Sequence, residues 1–523
     1  MKRNVQSIGY DLSASIVVLL VALPLCLGIA LASKAPLFSG IIAGVVGGIV
    51  IGTLSGSPLS VSGPAAGLTV IVAGAILNLP SFEAFLLAVI LGGVIQLALG
   101  FAKAGVIGDY VPNSVIKGML AAIGLILILK QFPHLVGYDK GSFEGDESFN
   151  SGGENTFSGL FHSLQFFTPG AILIGGVSLL ILIFWESKPM KKISWIRFVP
   201  GPLIVVIIGT IINEYLKANN PNIALQQEHL VELPVAGNAG EFIGFLSHPD
   251  VSFLNNIVVW KTAFTLAIVA SLETLLGIEA VDKLDPYKRI SPTNRELKAQ
   301  GVGNIVSGLL GGLPLTSVIV RSSANVNSGA RTKLSTIFHG ILLLLCVIFI
   351  PKLLNLIPLS ALAAILIFTG YKLVKIPLIK EFYHKGWDQF VPFLVTIVAI
   401  LLTDLLIGIV VGILVGLFFM VRSNFRSSVL VVNDENNYMV RLRKDVSFLN
   451  KPIVKRKLDQ VPEDAFVIID ASRADFIDKD IIDTINEFLA HAYLKNIRVE
   501  LKKNLNNPLH ALFHTPEPRE DLA

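Results

Sequence analysis

Apolar residues in this chain come in long unbroken runs, rather than in the two-residue alternation of a half-buried strand or the single stripe of a surface helix. A hydrocarbon layer of about 30 Å takes roughly 20 residues of helix. On that ruler full spans fall at 12–32, 37–55, 83–101, 112–130, 168–185, 200–216, 259–281, 297–311, 337–354, 357–373, 389–403 and 405–421. Two further stretches, 59–78 and 315–328, are apolar but interrupted by polar residues, glycine and proline. Counting them gives fourteen segments, seven in each half.

The halves resemble each other. Gly47–Ser60 reads GGIVIGTLSGSPLS and Gly303–Thr316 reads GNIVSGLLGGLPLT, superposed by a shift of 256 positions (303 − 47). Gly47, Ile49, Val50, Gly52, Leu54, Gly56, Pro58 and Leu59 fall on identical residues, and Ser60 falls on Thr316. A fainter echo relates Leu23–Ile29 to Leu272–Ile278 at a shift of 249 (272 − 23). We therefore expect a duplication, with a first membrane repeat at 1–257, a second at 258–425 and a separate domain at 426–523. An odd number of segments per repeat inserts the second copy upside down, the inverted-repeat plan of secondary transporters.

Composition agrees: 53% of residues are hydrophobic, only 15% are charged, and mean hydropathy is +0.68. The net charge of +4 is spread over loops and does not suggest nucleic acid. Cys26 and Cys346 each sit inside an apolar run and read as small core residues, with neither disulfide nor metal spacing. The first apolar run follows Lys2 and Arg3 as a signal peptide would, yet its echo deep in the chain makes it a span. With the N-terminus inside, inside loops carry Lys188, Lys191, Lys192 and Arg197, then Lys283, Lys288, Arg289 and Arg295, then Lys372, Lys375, Lys380 and Lys385. Outside loop 131–167 has Lys140 against Asp139, Glu144, Asp146, Glu147 and Glu154, and outside loop 217–257 has Lys217. This is the positive-inside bias and puts both ends in the cytoplasm.

After Arg422 and Arg426 the pattern changes. Residues 437–449 alternate, Ala465–Asp470 is a short buried-strand run, Asp480–Leu494 has helical spacing through Ile481, Ile482, Ile485, Phe488 and Leu489, and Ile497–Leu501 alternates again. This predicts a small α/β domain, followed by a charged tail, Thr515–Ala523, expected to be disordered.

The chemistry is expected at the two interrupted segments. A helix broken inside a bilayer exposes N–H groups worth about half a positive charge, tolerated only where protein or a cavity meets them. Pro58 and Pro314 are read as helix starts, Ser60 and Thr316 as caps, and Ser62, Gly63 and Gly67 as places where a ligand approaches backbone. Two such N-termini meeting at mid-membrane make an anion pocket. Arg321 either faces that pocket or snorkels from the end of its segment. Glu273 looks like the most buried carboxylate of the chain and would suit either proton coupling or Na⁺, whereas Glu279 and Asp282 read as a solvated helix end. His134, His162, His229, His248, His339 and His384 lie mostly at segment ends or in loops and form no metal pattern, so neither a hydrolase nor a metalloenzyme is expected.

At these residues the chain resembles the SulP family of inorganic anion transporters. The resemblance rests on Val61–Leu68 (VSGPAAGL), on Leu272-Glu273-Thr274-Leu275 with Asp282, and on Leu313–Asn325 followed by Ser328–Leu334. It implies an α-helical polytopic membrane protein of seven-plus-seven segments with core and gate domains, an elevator movement, a homodimer and a C-terminal STAS domain. It places the anion at Ser62, Gly63, Pro64, Ala65, Thr316, Ser317 and Arg321, and cation coupling at Glu273 and Thr274. Family members often carry a glutamine after the proline of the first segment; here Pro24-Leu25-Cys26 is apolar. STAS-type antagonists carry a phosphorylatable serine where this chain has Lys479 and Asp480, so a kinase-driven switch is not expected. Lys444–Lys451, read as a strand, and Ile468–Asp478 look like a bacterial subgroup linked with bicarbonate; sulfate comes next, then dicarboxylates. The expectation is therefore a non-enzymatic symporter of the bacterial inner membrane, without cofactor other than possible Na⁺. A nucleobase transporter of the same fold is disfavoured by Arg321, and a membrane-tethered signalling protein by the intact polar breaks and Glu273.

Overall fold

Every full span expected from the apolar runs is a helix in the computed structural model, which describes residues 2–138, 167–187, 189–190, 199–374, 376–403, 405–503 and 512–514. The first half supplies α1 (Lys2–Ala32), α2 (Leu37–Val46, carried on by a π turn, Gly47–Ile51, to Leu54), β1 (Ser62–Pro64), α3 (Thr69–Asn78), α4 (Phe82–Phe101), α5 (Asn113–Val136), α6 (Pro169–Trp185) and α7 (Gly201–Asn219). The second supplies α8 (Ile257–Leu284), α9 (Thr293–Leu309), β2 (Leu315–Ser317), α10 (Ile319–Asn327), α11 (Leu334–Phe349), α12 (Leu359–Val374), α13 (Trp387–Leu402) and α14 (Leu405–Ser428). Short connecting helices are left unnumbered. Eight of the described helices are long and apolar enough to cross a membrane unaided; α6, α9, α11 and α13, expected as full spans, are helices of only 16 or 17 residues, and the interrupted segments contribute half-length helices. Lys188, Lys191, Lys192, Arg197, Lys375, the charged part of the 131–167 loop and the Thr515–Ala523 tail lie outside the described residues.

The chain divides into two compact units, Met1–His384 with Phe393–Gly412, and Lys385–Pro392 with Ile413–Ala523. Within the first unit, α4 packs on α9 and α8, and α1 packs on α11 and α2, while α12 packs on α5 and α6.

α9 is the outlier among the helices. Its buried side includes Glu296, Gln300, Asn304 and Ser307, spaced by four, four and three residues. That is the helical period with polar residues in place of apolar ones. A membrane helix with such a stripe must hand its polar groups to other protein groups.

In the second unit, β3 (Val429–Asp434), β4 (Asn437–Val446), β5 (Phe466–Ile477) and β6 (Arg498–Lys502) form one sheet in that order. The first pair is antiparallel and the next two are parallel. α15 (Lys451–Asp459) and α16 (Lys479–Ala492) supply apolar residues to its core, where Val440, Leu442, Val467 and Ile469 meet Val454, Ile481 and Ile485. The expected strand at Lys444–Lys451 ends early: β4 stops at Val446, and the Ser447 N–H donates to Asn450 Oδ1 at 3.2 Å at the start of a turn, Phe448–Asn450, that leads into α15. β3 was not anticipated.

Candidate functional site

The two interrupted segments meet. β1 pairs antiparallel with β2, Ser62 opposite Ser317, Gly63 opposite Thr316 and Pro64 opposite Leu315, and the Val318 N–H extends the ribbon by donating to the Val61 carbonyl at 3.0 Å. All six strand residues are buried. β1 runs through a 3₁₀ turn, Ala66–Leu68, into α3, and β2 runs directly into α10. Neither half-helix has a side-chain cap. Their positive N-terminal ends therefore remain available inside the protein.

This differs from the expected arrangement of prolines and caps. Pro58 and Pro314 lie ahead of the strands, not at the helix starts; lacking an N–H, proline suits such extended linkers. Ser60 Oγ is 2.6 Å from Ser317 Oγ and caps nothing, and Thr316 Oγ1 has no hydrogen-bond partner although the residue is fully buried.

Residues opposite one another in an antiparallel pair share a face, so the ribbon sorts the candidate residues. Gly63 and Thr316 share the face of Arg321. A Cβ at Gly63 would overlap the Arg321 guanidinium, 3.1 Å from its Cζ, so only glycine admits that side chain here. Arg321 is 0% exposed, which removes the snorkelling alternative. Its Nη2 donates to the Pro64 carbonyl at 3.3 Å, its charge acts on the buried Cys26 thiol, and Nε and Nη1 have no hydrogen-bond partner. A buried guanidinium with unused donors leaves a charge uncompensated by several kcal/mol, on the order of 3–5, unless an anion completes it. Cys26 supplies a thiol where the first helix looked merely apolar.

Ser62 and Ser317 share the other face. Ser62 Oγ accepts from Gln300 Nε2 at 2.6 Å, and the Ser317 N–H donates to Thr274 Oγ1 at 3.3 Å. Ala65 is buried at the start of the 3₁₀ turn, where its carbonyl accepts from the Leu68 N–H. Behind this face the polar stripe of α9 supports both strands. Glu296 accepts from Ser55 Oγ at 2.6 Å and from Gln300 Nε2 at 3.2 Å. Asn304 Oδ1 accepts from the Leu315 N–H at 2.6 Å, and Ser307 Oγ donates to the Leu313 carbonyl at 2.7 Å.

Glu273 stands beside the first half-helix. The Gly67 N–H donates to its carboxylate, and a Cβ at Gly67 would lie 2.7 Å from its Cδ. Glu273 Oε2 is inaccessible and has no hydrogen-bond partner. It is not the most buried carboxylate, however: Glu296 and Asp11 are both at 0% exposure. Asp11 accepts from the Arg331 and Thr332 N–H groups ahead of α11, and Glu296 was hidden in TNRELK, which looks like a solvated helix start. Glu279 is exposed and paired with Lys283 at 2.5 Å, and Asp282 accepts from the Ser291 N–H and hydroxyl. His339, grouped above with segment ends and loops, is fully buried within α11, and neither ring nitrogen has a partner.

Opposed half-helix ends, a buried arginine and an adjacent carboxylate mark a membrane protein built on crossed, broken helices. The profile of the sulfate permease family matches residues 8–397, and the chain belongs to that family of transporters. It is 27% identical over 446 residues to the protein named "Putative sulfate transporter YvdB" of Bacillus subtilis (strain 168), covering 85% of this chain and 79% of that one. It is 27% identical over 409 residues to the bicarbonate transporter BicA of Synechocystis sp., covering 77% and 67%. Among solved structures, the transmembrane domain of a cyanobacterial bicarbonate transporter BicA superposes with a TM-score of 0.64 at 24% identity, covering 78% of this chain and 97% of that one. The overall structure of SLC26A9 superposes with a TM-score of 0.73 at 18% identity, covering 95% and 84%. The fold is thus that of a multi-pass anion transporter with a STAS-like C-terminal domain.

Proposed function

We propose that the chain is a secondary active transporter of hydrogencarbonate in a bacterial cytoplasmic membrane, coupled to Na⁺ or H⁺ and working as an elevator within a homodimer. Residues 1–257 and 258–425 act as its two inverted repeats and 426–523 as its cytoplasmic domain, with both termini inside. The observation that carries the anion reading is Arg321, fully buried between two uncapped half-helix ends with two nitrogens lacking partners. A small oxyanion supplies the acceptors that these donors need. Glu273 and Thr274 lie on α8 beside both half-helices: Glu273 meets Gly67, and Thr274 meets the Ser317 N–H. A proton or Na⁺ arriving at Glu273 cancels a negative charge next to the anion, which links the two movements.

The likeness to BicA over three quarters of the chain favours hydrogencarbonate, and the likeness to YvdB keeps sulfate as the second reading. Uptake of labelled hydrogencarbonate and labelled sulfate into proteoliposomes, with and without Na⁺ and pH gradients, decides between them. Na⁺-driven hydrogencarbonate uptake supports the first reading; acid-driven sulfate uptake supports the second. Thr316→Val is expected to weaken uptake about tenfold, as for one lost hydrogen bond to a charged ligand. Glu273→Gln is expected to abolish the dependence on Na⁺ or pH, and a dependence that persists removes Glu273 from coupling.

A further inference from the structure

The Arg321 side of the ribbon has more unused polar atoms than the arginine alone accounts for. Thr316 Oγ1, Arg321 Nε and Nη1, and both His339 nitrogens are buried without hydrogen-bond partners. Buried polar groups in native proteins are nearly always paired, so a cluster of orphans marks a missing ligand or water. They lie close together. On α11, Thr336, His339 and Leu343 follow at intervals of three and four and so share one face. Thr336 Oγ1 donates to the Ser60 carbonyl at 3.2 Å, just ahead of β1. Leu343 packs where Gly44 meets Cys26: a Cβ on that glycine would lie 2.6 Å from both Cys26 Sγ and Leu343 Cδ2. His339 is bracketed between these two contacts, and the charge of Arg321 acts on both Cys26 and His339.

Arg321 offers only donors. A neutral imidazole offers one donor and one acceptor. Sulfate and chloride can use the donor and leave the acceptor idle. An oxyanion that carries its own hydroxyl, such as hydrogencarbonate, can use that acceptor: its hydroxyl donates to the unprotonated ring nitrogen while its other oxygens accept from Arg321 and Thr316. Sites that hydrogen-bond a particular ligand hydroxyl reject analogues lacking it far more strongly than apolar pockets do.

We propose that His339 is a ligand of the transported anion and selects a protonated oxyanion over a fully deprotonated one. This rests on the anion reading of Arg321 and Thr316. The test is KM for hydrogencarbonate and for sulfate in proteoliposomes of wild type, His339→Phe, His339→Asn and, as the control for the site itself, Arg321→Ala. The phenylalanine variant fills the same space without a polar atom, and the asparagine variant restores a donor and an acceptor. His339→Phe is expected to raise KM for hydrogencarbonate at least about tenfold while sulfate changes less than about threefold, and His339→Asn to recover most of the loss. Should the phenylalanine variant not purify as a folded protein, His339→Met takes its place, since methionine adapts to irregular gaps. Equal shifts for both anions, no shift for either, or a wild type that moves sulfate alone would overturn the proposal. If Arg321→Ala stops uptake and the His339 variants change nothing, only the histidine assignment fails; indifference to both fails the anion site as a whole.

Discussion

The two breaks share a backbone plan and differ in almost everything else. Both place three residues of strand before a half-helix, and the strands pair with each other. The first break brings Gly63, Pro64 and Gly67: a side that offers backbone and takes a carboxylate, Glu273, from a neighbouring helix. The second brings Thr316 and Arg321: a side that offers a hydroxyl and a full positive charge. The register also drifts. The sequence echo runs at 256, the strands are related by 253 (315 − 62) and the half-helices by 250 (319 − 69). The first break thus carries six more residues between echo and helix, and they include the 3₁₀ turn and Gly67. A duplicated scaffold supplied the crossing; unequal linkers let one copy bind charge and the other supply it.

That contrast can be broken from either side. The largest effect is expected at the charge: Arg321→Ala should reduce uptake of the transported anion at least about a hundredfold, because a buried ligand loses a full countercharge and two donors. Next comes the turn found only in the first break. Gly67→Ala should lower uptake about tenfold and alter its ion dependence, since the new methyl displaces the Glu273 carboxylate, whereas Ile319→Ala, at the start of the second half-helix, should change uptake less than about twofold. The supports behind the strands rank third. Glu296→Ala leaves the Ser55 hydroxyl without its acceptor and removes one of the two acceptors of Gln300 Nε2, and should lower stability by about 2–3 kcal/mol, and Asn304→Ala about 1–2, both read as thermal-unfolding shifts of the purified protein.

The smallest effect on uptake is expected in the C-terminal domain. Burial acts to raise the pKa of Asp470, but the Ser472 hydroxyl and N–H and the Arg441 guanidinium at 2.8 Å outweigh it and hold the carboxyl below its usual range. A depressed carboxylate stabilises the fold above its unfolded pKa of about 3.9, and that contribution is lost as pH falls through the lower folded value. Asp470→Asn should therefore leave uptake unchanged, weaken hydrogen-exchange protection of β5 at pH 7, and blunt its further loss below about pH 4.

Much of this was legible in the chain. Apolar runs located all the full-length helices, because in a bilayer length and hydropathy leave few alternatives. The repeated Gly-x-Pro-Leu-Ser/Thr located both breaks. What stayed hidden needed tertiary pairing. Nothing local says that three residues at Ser62–Pro64 are a strand, because their partner is at Leu315–Ser317. Ser60 and Thr316 matched as caps in the echo, yet the slipped register gave them other positions. Glu296 is preceded by Asn294 and Arg295 and followed by Lys298, so it resembled a solvated helix start; the spacing of Glu296, Gln300, Asn304 and Ser307 was the signal that could have exposed it. A fully buried histidine with no partner cannot be told from one at a segment end until the helix around it is placed.

The central claim is that the opposed half-helix ends and Arg321 hold the transported anion. It is tested most directly by labelled hydrogencarbonate and sulfate uptake into proteoliposomes of wild type and Arg321→Ala at matched protein density. The account predicts saturable uptake of hydrogencarbonate by wild type and its loss in the variant. Wild-type uptake that survives Arg321→Ala unchanged for every anion would contradict it.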